Sequence, residues 1–159
     1  MPKSFAGYIA QAQRDWEAGR ALDAGRLICE RIPTRQRPAW AARVLEAARG
    51  LVPKTPEVDR VLEIARDSAK WPEAHVAYNA VRALTPQAED PLVEAVLHLA
   101  ENVAKVACNA SGGLAPSDRE AGWRVAQNLH AIISRGGEKA SKLKAEAWAL
   151  LSTLRVPSQ

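Results

Sequence analysis

The residues that could do chemistry in this chain are few and widely spaced. Glu94, His98 and Glu101 stand at steps of four and three, so a helix would place all three on one face. An imidazole and two carboxylates on one face are half of a carboxylate-bridged metal site, whose other half must come from a facing helix. His75 and His130 bring no such companions. The expectation is a polar surface patch, with no metal and no cofactor.

Nucleophilic chemistry is no better prepared. Cys29 and Cys108 lie far apart and form no CxxC pair, so they are expected as free thiols packed as small apolar groups. Ser111 and Ser117 stand in no GxSxG turn, and Gly112-Gly113 precedes no phosphate-loop lysine. No catalytic residue is assigned. An enzyme would have to place its site at Glu94, His98 and Glu101, or in the loop over 109–117.

Binding chemistry is better supplied. Arg26, Arg31, Arg35, Arg37 and Arg43 fall in one stretch opposed only by Glu30. A guanidinium offers two parallel hydrogen bonds to a carboxylate or phosphate, which suits an acidic protein surface or a nucleic-acid backbone. A second basic run is Arg135, Lys139, Lys142 and Lys144. Five tryptophans accompany a single Phe and two Tyr, and Trp serves both cores and interface anchors.

The residues expected to meet a partner are therefore Arg31, Arg35, Arg37, Arg43, Trp40, Lys139, Lys142 and Lys144. A protein partner is the first expectation, and a nucleic-acid backbone held without base readout is the alternative. That alternative requires both basic runs on one surface and predicts steep weakening with salt. An ordinary solvated face, with intrachain pairs to Glu30 and Glu46, would need neither partner.

The elements that must position these groups are helical. Alanine is roughly a fifth of the residues and loses no rotamer entropy in a helix. Phe5, Tyr8, Ile9, Ala12 and Trp16 recur at three- and four-residue steps, predicting a first helix over 4–18 closed by Gly19. Leu22, Gly25, Ile28 and Cys29 line a second over 21–31. Pro38 opens a third that stops at Gly50, Thr55-Pro56-Glu57 a fourth capped by Thr55, and Pro72 a fifth.

Asp90-Pro91 opens the sixth and longest helix, apolar on most of its circumference and so expected at the centre. Ser117 and Glu120 match a capping box for a helix presenting Gly122, Val125, Leu129 and Ile132, and a last helix covers 138–154. The fold predicted is all-α, a compact antiparallel bundle or short stacked helical-hairpin array of seven or eight helices in a single domain. Trp16, Gly19, Asp23-Ala24 and Pro33 share features with one tetratricopeptide unit, but their spacing is too short and no second copy follows, so no family is identified.

The net charge of +4 resides in the first half, where residues 1–82 hold 14 basic and 10 acidic side chains against 8 and 8 in the remainder. The longest nearly uncharged apolar stretch, 91–100, contains Glu94 and His98 and is too short to span a bilayer. Without a leader-like N-terminus the expected location is the cytoplasm, with no membrane contact. High Ala and Arg suggest a GC-rich bacterial source.

Overall fold

The computed structural model describes residues 4–112 and 118–154, and every regular element among them is helical. The eight α-helices are α1 (Phe5–Glu17), α2 (Ala21–Cys29), α3 (Arg37–Arg49), α4 (Pro56–Ala65), α5 (Ala74–Leu84), α6 (Pro91–Ser111), α7 (Ala121–Gly136) and α8 (Ser141–Ser152). Short 3-10 turns lead into α3, α5 and α8.

Local chemistry explains most of the helix starts. Ser4 accepts a hydrogen bond from the Gly7 amide at 3.0 Å, and Asp90 accepts one from Leu92 at 2.8 Å. Thr55 is a correction. Its hydroxyl donates backwards to the Pro53 carbonyl at 3.1 Å, so α4 starts without the expected side-chain cap. The helix α7 begins at Ala121, and Ser117 of the expected capping box lies outside the described residues.

The 21-residue α6 is the axle of the bundle, as its all-round apolar character predicts. It packs against α7 on one side and against α3, α4 and α5 on the other. Leu97, Leu99, Val103 and Ala107 are buried along it. Asn102 is also buried, and it donates to the Asn128 side chain of α7 at 2.7 Å, which satisfies a polar pair inside the α6–α7 seam.

Pairings along the seams set the directions. Leu92 lies by Gly136, Asn102 by Asn128 and Val106 by Gly122, so α6 and α7 run antiparallel. Gly25 meets Ala126 while Cys29 meets Gly122, so α2 and α7 are antiparallel as well. Tyr8 meets Arg31 across α1 and the end of α2, and Thr85 meets Glu101 across α5 and α6. The helix α7 thus inserts between α2 and α6, which makes a bundle around α6 rather than a stack of sequential hairpins.

Candidate functional site: the arginine-bearing end of the bundle

The antiparallel directions give the bundle two distinct ends. At one, α2 and α6 finish while α1, α3 and α7 begin. Arg26, Arg31, Arg35, Arg37 and Arg119 gather there, because the chain from late α2 through the turn at Thr34–Gln36 crosses the start of α7. At the other end, α7 finishes beside Leu92 and leads into Lys139, Lys142 and Lys144. The 16 residues of α7 separate the two ends, about 24 Å at the usual rise per residue. The two basic runs therefore lie at opposite ends of α7.

Three guanidiniums at the first end lie over aromatic rings. Arg31 sits 4.0 Å from the Tyr8 ring centroid, Arg35 5.1 Å from Trp71 and Arg26 5.2 Å from Trp123. Each stack contributes about 0.5–1 kcal/mol, at exposed Arg26 and Arg35 and at half-buried Arg31, and holds the cation in one orientation. Arg37 is fixed differently, its Nε donating to the Ile32 carbonyl at 2.8 Å. Among the described residues none of these four, nor Arg119, forms an ion pair with a carboxylate.

The nearby acids are mostly committed elsewhere. Asp118 is bridged by Lys105 at 2.8 Å and by Arg124 at 3.0 Å. Burial pushes its carboxyl up, but those two cations outweigh burial and hold it below its ordinary value. Glu120 reaches Arg124 at 3.6 Å. Glu30 stays at the rim of a cleft of about 540 Å³ between α1 and α2, with Tyr8, Asp15, Arg26 and Arg31.

Two residues expected at a partner surface are corrected. Trp40 is fully buried and donates through Nε1 to the Leu151 carbonyl at 3.0 Å, so it is a core anchor between α3 and α8. Arg43 turns its Nη2 to the Leu150 carbonyl at 3.0 Å and to the Thr153 carbonyl, closing the end of α8. Burial holds its guanidinium below the ordinary value. Lys139, Lys142 and Lys144 are exposed, and Lys144 lines a cleft with Trp16, His130 and Ile133 at the far end.

The other constellations separate as the structure positions them. Glu94 turns to Arg135 at 3.5 Å, whereas Glu101 accepts from the Thr85 hydroxyl at 2.7 Å and lies 3.4 Å from His98 Nδ1. No group of three metal-ligating side chains converges among the described residues. Cys29 and Cys108 are buried and unbridged, and burial pushes both thiols up to about 11.

Sequence reasoning missed Arg26 and Arg119 as site residues. Arg26 belonged visibly to the first basic run, but its ring partner Trp123 is remote in sequence. The Arg119 signal is only its place just before α7. No helix among the described residues is long and apolar enough to cross a membrane. No family model, curated protein or solved structure matches this chain.

Proposed function

We propose that the protein is a non-enzymatic helical interaction module whose arginine-bearing end holds an acidic segment of a protein partner. The observation that carries this reading is the set of three guanidiniums stacked on Tyr8, Trp71 and Trp123 without carboxylate partners among the described residues. Stacking takes up the conformational freedom of each cation before a partner arrives, so less is lost when its N–H edges meet an anion.

Apolar docking is less well supported. Phe5, Leu22 and Val76 are the exposed large apolar side chains described, and they do not form one patch. Phe5 and Leu22 stand at opposite ends of the α1–α2 hairpin, and Val76 is on α5. The basic runs lie at opposite ends of α7, so a nucleic-acid backbone would have to cross the intervening surface to meet both.

A photocrosslinker at position 35, compared with one at position 142, tests the reading in a lysate of the native host. Capture of a discrete protein at 35 but not at 142, lost in an Arg26/Arg31/Arg35→Glu variant, is the expected result. Equal capture at both positions removes the assignment of this end. Anisotropy of labelled single- and double-stranded DNA and RNA at low salt is the parallel arm. Tight, salt-sensitive binding lost in the same variant would transfer the site to nucleic acid.

A further inference from the structure

Of four surface clefts among the described residues, three carry at least one carboxylate in their walls. The fourth carries none. It is a notch between the end of α6, the turn before α3 and the start of α7, walled by Arg37, Arg119, Thr34 and Asn109 and floored by Cys29 and Gly122. Two arginines therefore border a small space, with Thr34 and Asn109 beside them.

The geometry points to an oxyanion site in this notch, the anchoring point for a carboxylate or phosphoryl group presented at the arginine-bearing end. Arg37 spends its Nε on the Ile32 carbonyl, and its terminal nitrogens have no carboxylate among the described residues. Arg119 is exposed, and its sequence neighbours Asp118 and Glu120 are engaged by Lys105 and Arg124. Asn109 donates to the Asp118 carbonyl at 2.9 Å, which ties the end of α6 to the chain entering α7.

Size narrows the ligand. The notch holds about 20 Å³, enough for one water-sized atom and too little for a whole phosphate. One oxygen enters, and the rest of the group stays outside, where Arg37 and Arg119 can reach its other oxygens. Such a site takes the tip of a side chain or a free oxyanion and discriminates little between planar and tetrahedral groups. Cys29 at the floor is buried and protonated at neutral pH, so it adds no negative charge against an anion.

This site deepens the proposed interaction and rests on it for the identity of the natural ligand, but it is testable without any partner. Arginine side-chain N–H signals of the intact protein are followed by NMR during titration with sodium acetate, sodium phosphate and sodium chloride at constant ionic strength. The expected result is a saturable shift of Arg37, Arg119 and the Gly122 amide with acetate or phosphate. Arg119→Gln, an exposed substitution, should weaken it about tenfold, the usual scale for one charge-assisted hydrogen bond, while Arg35→Gln leaves it in place.

Shifts that do not saturate, that appear equally at Arg26 and Arg35, or that chloride alone produces would overturn the oxyanion site. Loss of the notch with crosslinking retained at position 35 would remove this anchor and leave the wider interface standing. Saturation in the notch with no capture at 35 would do the reverse.

Discussion

Gly122 of α7 lies so close to the sulfur of Cys29 on α2 that a methyl group on the glycine would overlap it. Gly25 of α2 repeats the relationship in the other direction, against the Trp123 carbonyl and the Ala126 methyl of α7. Two glycines, one on each helix, bring α2 and α7 together closely enough to align Arg26 with Trp123 and Arg37 with the notch. The close approach is thus part of how the arginine-bearing end is built.

Gly122→Ala is expected to destabilise the protein by about 1–3 kcal/mol through overpacking. The clash is with a side chain, so Cys29→Ala should relieve it. In urea unfolding the double variant should be more stable than the sum of the single effects implies, by about 1 kcal/mol or more. Additive effects would mean that the helices shift apart instead. Gly25→Ala meets backbone, and no side-chain truncation should rescue it.

Some of this arrangement is legible in the sequence, and the reasons are local. Gly25 and Gly122 fall on the inner stripes of their helices, and the apolar circumference of α6 marks it as central. What they pack against is not local. Nothing near Gly25 announces a helix about a hundred residues later, and nothing near Arg26 announces Trp123. Trp40 failed as a surface residue for the same reason. Its position at a helix start beside a basic loop resembles an exposed anchor, whereas α8 closes over it from the other end of the chain. Thr55 failed because the Pro53 carbonyl competes for its hydroxyl.

The anchoring of α8 gives a second prediction. Trp40 and Arg43, one turn apart on α3, hold carbonyls of the last turn of α8. Trp40→Phe leaves the Leu151 carbonyl without that donor and should cost about 1–3 kcal/mol. Arg43→Leu should raise amide exchange in α8 while protection in α6 is retained. Uniform loss of protection across the protein would show that α8 is not a separable unit.

The buried thiols predict a pH dependence. Both pKa values rise from an ordinary 9.0 to about 11 in the folded protein, so the folded state holds these protons more tightly than the unfolded chain. Their contribution is fully present below pH 9.0, is lost as pH rises toward about 11, and amounts to at most about 3 kcal/mol per thiol. Urea midpoints should fall between those limits. The fall should be shallower in a Cys29→Ala/Cys108→Ala variant. Equal slopes would show that the thiols titrate alike in both states.

The last prediction concerns the one constellation that has metal-ligand spacing. Glu94, His98 and Glu101 share a helix, but Glu94 is drawn to Arg135 and Glu101 is held by the Thr85 hydroxyl, which donates to it at 2.7 Å. A divalent ion would have to break the first pairing and compete for the second carboxylate while gaining only three ligands from one helix. Zinc should therefore leave the thermal midpoint unchanged, and His98→Ala, at an exposed position, should shift stability by no more than about 0.5 kcal/mol. Glu101→Ala is different, because it removes the acceptor that links α5 to α6 and should cost about 1 kcal/mol. A zinc-induced rise in the midpoint that His98→Ala abolishes would show that the carboxylates can be released to a metal.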